Sequence, residues 1–220
     1  MQMEKFKGLT TVEKIGYIRD YYTLHIIAGI LAIAAVGWAL NHYVFNPPPQ
    51  TFINVSFFGQ FVSEDFRNVF AEDLTVNLID PSANQRAMVD NFFSTGNNPE
   101  FDMAMTQRMV AMVAATEIDV FIIAPDEIDG LIGGGFGSDL RVVLHPDAFG
   151  QLYEIGAIYF NEILIPLGIK VEHLPYFQNL TADFDLDFSG WALVVLPNSV
   201  RDLAVNSFLD HILFFTPQHD

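Results

Sequence analysis

One run constrains this chain more than any other: Leu24 to Phe45, LHIIAGILAIAAVGWALNHYVF, 22 residues without Asp, Glu, Lys or Arg. As a helix rising 1.5 Å per residue it spans roughly 33 Å, against a bilayer core of about 30 Å. A helix satisfies every backbone group internally, as that solvent requires. The expectation is a single transmembrane helix. Tyr21 and Tyr22 before it, His25 at its entry, and Trp38 and Tyr43 near its far end fit the two interfaces, where amphipathic rings collect. The alternative is a cleaved signal peptide, with Ala32-Ile33-Ala34 as the small-residue site. Against it, apolar residues continue through Val36, Trp38 and Leu40, as an anchor requires.

Charge divides sharply about that run. Residues 1–20 carry Lys5, Lys7, Lys14 and Arg19 against Glu4, Glu13 and Asp20. From residue 46 onward there are 24 acidic and six basic residues, and the first basic one is Arg67. The positive-inside rule therefore puts the N-terminus in the cytoplasm and the large acidic part outside the cell membrane. A domain so acidic lacks the basic patch that nucleic acid needs and is repelled by anionic lipid. The chain has no cysteine, which excludes disulfides, thiolate metal sites and a Cys nucleophile.

The expected organisation is a cytoplasmic juxtamembrane helix over 1–23, the span over 24–45, a Pro-rich linker over 46–51 and an acidic extracytoplasmic domain over 52–220. Thr10 and Glu13 have capping-box spacing at the start of the first helix. Pro47, Pro48 and Pro49 end the span and favour a stiff spacer. Beyond them, Phe52 to Phe58 reads as a strand and Ser63 as the start of a helix whose stripe is Phe66, Val69, Phe70 and Leu74. Thr75 to Ile79 reads as a second strand, and Asp80 to Asn98 as turn-rich with a helical turn near Met88 to Phe93. Pro99 suits the first position of a helix reaching about Thr116, with Met105, Met109, Met112 and Val113 inward. Asp119 to Ala124 is an apolar run suited to a strand buried on both faces. The glycines between Asp126 and Asp139 read as a crossover or hinge. Leu140 to Leu144, Tyr153 to Phe160 and Gly168 to His173 read as short strands. Trp191 to Leu196 is a further strand, and Asn198-Ser199 the cap of a final helix. Strands alternating with helices give an α/β layer fold with a largely parallel sheet.

Two resemblances follow from these phrases. Thr11-Val12-Glu13-Lys14 followed by Tyr21-Tyr22-Thr23-Leu24-His25-Ile26-Ile27 resembles the start of small single-pass membrane proteins of Gram-positive bacteria. The early strand–helix–strand, the helix before Asp119-Val120-Phe121-Ile122, and the ending Leu193-Val194-Val195 to Asn198-Ser199 with Phe208-Leu209 resemble type II extracellular solute-binding proteins. That resemblance implies a reduced binding-protein-like fold. About 65 residues lie between the buried strand and the return strand, too few for a full second lobe around a ligand.

Candidate chemistry is sparse. Asp183, Asp185 and Asp187 alternate with Phe184, Leu186 and Phe188, which on a strand lines three carboxylates along one face. Clustered oxygens suit Ca²⁺. The glycine and the closing Glu of a calcium loop are absent, with Phe188 and Val194 in their places, and a solvated strand edge is the alternative. His145, His173 and His211 lack zinc spacing. No nucleophile–base–orienter set is visible, so no catalytic residue, no cofactor and no enzymatic activity are expected. The expectation is a membrane-anchored module that docks or scaffolds a membrane protein, which includes a transporter. The alternative is a receptor that binds a small-molecule solute for a transporter.

Overall fold

The computed structural model describes residues 10–133, 135–181, 184 and 186–215. The chain divides into two units, Met1–Pro48 and Pro49–Asp220. In the first, α1 (Thr11–Leu40) is a single uninterrupted helix, starting one residue after the Thr10 read as its cap. It runs into a π-helical turn, Asn41–Phe45, closed by Asn46 N donating to Asn41 O at 2.8 Å. Tyr22–Phe45 is long and apolar enough to cross a membrane, with a mean hydropathy of 2.1.

The second unit is a six-stranded mixed sheet with helices on both faces. In chain order it consists of β1 (Gln50–Gly59), α2 (Glu64–Leu78), β2 (Gln85–Phe93), α3 (Pro99–Ala114), β3 (Val120–Ile123), α4 (Pro125–Leu131), α5 (Leu140–Val143) and α6 (Pro146–Glu154). Then follow β4 (Ile158–Phe160), β5 (Pro166–Lys170), a 3-10 turn at Val171–His173, α7 (Pro175–Leu180), β6 (Ala192–Val195) and α8 (Asp202–Leu213). The strand order is β2-β1-β3-β6-β5-β4. β1 is parallel to both β2 and β3. β6 is antiparallel to β3 and β5, and β4 is antiparallel to β5. The α/β layer class therefore holds, but the sheet is not largely parallel: β6 returns beside β3 and reverses the direction of that half.

Two cores flank the sheet. On one face, Phe66, Phe70 and Leu74 of α2 join Tyr176 and Phe177 of α7 and Phe208 and Ile212 of α8 over Val55, Phe57, Val120 and Leu193. The phenylalanine-rich composition is used here. The Phe57 ring lies 5.8–6.2 Å from those of Phe66, Phe70, Phe188 and Trp191. Each such ring contributes about 1.5–3 kcal/mol by leaving water. On the other face, Met109, Met112 and Val113 of α3 and Ile128 of α4 pack with Phe92, Phe121 and Val194. No residue of α3 is fully buried, so its Met stripe is more open than the periodicity implies. Among the described residues no second layer covers its outer side, where Met103 and Val110 are exposed.

Several expected elements differ, each for a tertiary reason. Thr75 to Ile79 is not a strand, because Leu74 continues the Phe66–Phe70 stripe and the helix runs to Leu78. The Thr75 hydroxyl donates back to Ala71 O at 2.7 Å and accepts Ala87 N at 3.0 Å. The second strand is β2, hidden in the sequence by Asp90 and Asn91. Both polar groups are satisfied by partners distant in sequence: Asn91 Oδ1 accepts Val62 N, and its amide donates to Gln60 O. Leu140–Val143 is helical because Asp139 Oδ1 accepts Arg141 N at 3.0 Å as its cap, with Leu140 and Leu144 buried one turn apart. Tyr153 lies in the last turn of helix α6, which runs to Glu154, and only Ile158–Phe160 of the expected strand is extended. The strand expected at Gly168 to His173 begins at Pro166 and turns at Val171.

Candidate functional site

The crossovers leave β1 for β2 and then return past it to β3, so the carboxyl ends of β1 and β3 form the switch point where open α/β sheets hold ligands. In this domain, protein fills that place. The β1–β3 ladder runs on to this point, where Ala124 N donates to Phe58 O at 2.8 Å. Gly59 has φ +103°, and a Cβ placed on it would lie 2.8 Å from Glu127 Cγ and 2.9 Å from Ala124 Cβ. A Cβ on Gly190 would lie 3.3 Å from Pro125 Cγ. The Tyr159 hydroxyl donates to Gly190 O at 3.0 Å, closing the same corner. Nor do the residues between β3 and β6 stand apart as a lobe. Their strands, β4 and β5, extend the one sheet.

A buried polar network lies at the opposite ends of these strands. Asp119, fully buried, precedes β3. Its carboxylate accepts Asn54 N at 2.8 Å, Ser199 Oγ at 2.7 Å and Arg201 Nη1 at 2.8 and 3.0 Å. Arg201 Nη1 also reaches the carbonyls of Thr116 and Glu117. Beside it, Arg108 pairs with Asp90, which accepts Asn54 Nδ2 at 3.2 Å. A cavity of about 630 Å³ opens between Asn54, Met88, Arg108, Met112 and Arg201. Both guanidiniums already have carboxylate partners, and Ser199 faces a carboxylate and an arginine with no imidazole. The chemistry of the group is to fasten β1, β3 and the start of α8 together. Ser199 and Asn198 are thus not the helix cap read from sequence. Arg201 holds the N-cap position, and Asn198 Nδ2 donates to Val113 O at 2.6 Å.

A second cross-link ties the helices of the aromatic face. The buried Tyr176 hydroxyl donates to Asp73 Oδ2, and His211 Nε2 lies 3.4 Å from the same oxygen. Burial, then the adjacent Asp73, pushes the Tyr176 pKa well above its ordinary value. This is where one of the three scattered histidines goes, against a carboxylate 138 residues away in sequence.

Of the aspartate trio, Asp183 and Asp185 lie outside the described residues. Asp187 is in a loop, not a strand, and accepts Ser189 N at 2.8 Å and Ser189 Oγ at 2.6 Å. Those bonds, hydroxyl first, hold its carboxyl below the usual range. Among the described residues no three potential ligands gather around a metal position. Of the interfacial residues, Tyr22, Trp38 and Tyr43 are exposed on the apolar helix. The Tyr22 and His25 rings are 6.0 Å apart, and Trp38 stacks on His42 at 5.5 Å, within reach of Tyr43. The side chain of Tyr21 lies outside the described set.

The antiparallel half of the sheet ends in an exposed apolar surface that sequence reasoning did not single out. Phe149, Tyr153 and Phe160 form a row of ring contacts at 6.3 Å. Ile163 and Leu164, 75% and 74% exposed, stand at the tip of the β4–β5 hairpin. Ile155 and Phe214 border a cavity of about 310 Å³ floored by Ala148, Leu152 and Leu213. The available signal was Ile163-Leu164-Ile165 enclosed by the turn formers Asn161 and Pro166. The Asp119–Ser199–Arg201 group had none, because 80 residues separate its parts.

Comparison with protein families, with characterised proteins and with solved structures finds no match to this chain.

Proposed function

We propose that this protein is a non-enzymatic module, anchored in the cell membrane by Tyr22–Phe45, whose acidic domain lies outside the cytoplasm and docks onto a membrane protein partner. The observation that carries this reading is the close packing at the switch point: Gly59 lies against Ala124 and Glu127 with no room for a Cβ, and Gly190 lies against Pro125, where a solute would otherwise lie. Hinge closure around a solute needs two lobes and a crevice between them. A single sheet with its crevice filled by its own turns favours contact through the outer surface. The reduced solute-binding-protein resemblance is part of this proposal, with β6 beside β3 and followed by α8 as its return strand and closing helix. Tethering strengthens the reading. A domain held at the membrane meets membrane partners at high effective concentration, so a weak contact suffices.

Docking without solute capture is tested on the full-length chain in mild detergent by a thermal-shift screen of amino acids, sugars and short peptides. No saturable rise in melting temperature is expected. A bound native-state ligand at about a hundred times its Kd adds roughly 2.7 kcal/mol, so a true receptor would be plain. Such a rise moves the assignment to a transporter-linked receptor. Orientation follows from the charge asymmetry about the span. Protease added to intact cells is expected to digest the chain beyond Pro49 and leave a small membrane-bound fragment. Full protection of the acidic domain reverses the topology.

A further inference from the structure

We propose that the tip of the β4–β5 hairpin, with the Phe149–Tyr153–Phe160 row behind it, is the docking surface, and that it seats in an apolar groove bordered by Lys or Arg on the partner membrane protein. This rests on the docking reading above and adds the surface and the chemistry of its partner.

Three observations carry it. The first is backbone strain. Leu164 has φ +62°, the left-handed region that hairpin turns usually give to glycine. The turn is held there by Asn161. Its Oδ1 accepts Ile163 N at 3.2 Å and Ile165 N at 2.8 Å, and its carbonyl accepts Leu164 N at 3.0 Å. The strain is thus built into an ordered turn, while the Leu164 side chain stays in water. A leucine placed where glycine is easier, and not used for packing, points to a contact outside the chain. The other described non-glycine residue with positive φ, Thr116, has a role within the fold: its carbonyl receives Arg201. The second observation is continuity. Exposed apolar side chains also occur elsewhere, at Val76 on α2, at Met103 and Val110 on α3 and at Val200 and Leu203 before and in α8, and there they are not set beside a strained turn. Here two aliphatic residues stand at the tip three and four residues beyond Phe160, the last ring of the Phe149–Tyr153–Phe160 row, and Ile155, two residues from Tyr153, lines the 310 Å³ cavity.

The third observation is charge, and it selects the occupant. From Val142 to Ile169 there is no Lys or Arg, while Asp147, Glu154 and Glu162 fall among the apolar residues of that stretch and Glu154 lines the cavity. A second copy would bring the same carboxylates against these, on a domain already strongly negative. Anionic lipid repels the tip for the same reason, and Glu162 beside Ile163 opposes insertion. An apolar groove with a basic border matches both features.

The test places a benzophenone photocross-linker at Leu164 of the full-length protein in its own membrane, with the same group at Val76 as the exposed control. The expected result is one discrete adduct at Leu164, about tenfold stronger than at Val76. Its linked peptide, sequenced by mass spectrometry, should be an apolar segment of a membrane protein flanked by Lys or Arg. Introducing Glu154→Lys with Glu162→Lys should cut its yield about fivefold, as reversing rim charges does. An unchanged yield overturns the basic border. An adduct to lipid overturns the proposal in favour of a bilayer contact, and one of twice the chain's mass in favour of self-association. A yield no higher than at Val76 removes this surface. If the cross-linker at Phe61 or Leu203 then gives a protein adduct, docking stands and only the surface falls; if none does, both readings fall. Should the Leu164 position disturb the melting curve, Ile163 on the same tip takes its place.

Discussion

Strands β1 and β2 run ten and nine residues, whereas β4 at the opposite edge has three. The long pair belongs to the parallel half, β2-β1-β3, where each connection is a helical crossover and helices cover both faces. The antiparallel half, β6-β5-β4, is joined by a hairpin and short helical turns, and its edge is left with apolar side chains in water. The parallel half buries the apolar residues of its long strands and uses polar groups to lock them, while Val76, Met103 and Val110 stay exposed on its covering helices. The antiparallel half keeps part of its apolar surface outside. A short edge strand is a recognised protection against uncontrolled strand pairing. The exposed hydrophobic surface therefore lies on side chains, which select a partner by shape, and hardly at all on open backbone.

That contrast makes the two halves respond differently to substitution. The largest effect is expected at the seam between them, where Asp119 holds Arg201 and Ser199. Asp119→Ala leaves a partly buried guanidinium unpaired and should cost about 3–5 kcal/mol in denaturant unfolding. A loss below about 1 kcal/mol would show that the halves do not depend on this link. The second seam is the Tyr176–Asp73 bond, which ties α7 to α2. The folded protein resists ionising Tyr176, while an unfolded tyrosine loses its proton near pH 10. The raised folded pKa means that this stability is intact below about pH 10 and is lost as pH rises above it. Unfolding midpoints measured from pH 9 to 11 should fall steeply, and Tyr176→Phe should flatten that fall while costing about 1 kcal/mol at neutral pH. An unchanged alkaline slope in the variant assigns the loss elsewhere. The smallest effect, of opposite sign, is expected at the hairpin tip. Leu164→Gly relieves the positive φ and buries nothing less, so stability should rise by about 0.5–1 kcal/mol. A loss there would mean that Leu164 serves the fold, and the contrast between the halves would narrow.

Read alone, the sequence determined what depends on neighbours along the chain. Residues 24–45 make an apolar helix because length and lack of charge suffice. Pro47 to Pro49 end that segment, Ser63 caps α2, Pro99 begins α3, and Val120–Ile123 and Ala192–Val195 are strands because each is a short continuous apolar run. Tertiary structure decided whatever depends on a distant partner. β2 is a strand despite Asp90 and Asn91, since Arg108, Val62 and Gln60 satisfy them. The direction of β6, and with it the mixed sheet, is fixed by pairing with β3, which no local pattern encodes. The same holds for the proposed docking surface. Ile163 and Leu164 are apolar in sequence, and only their place at the tip of the β4–β5 hairpin leaves them in water.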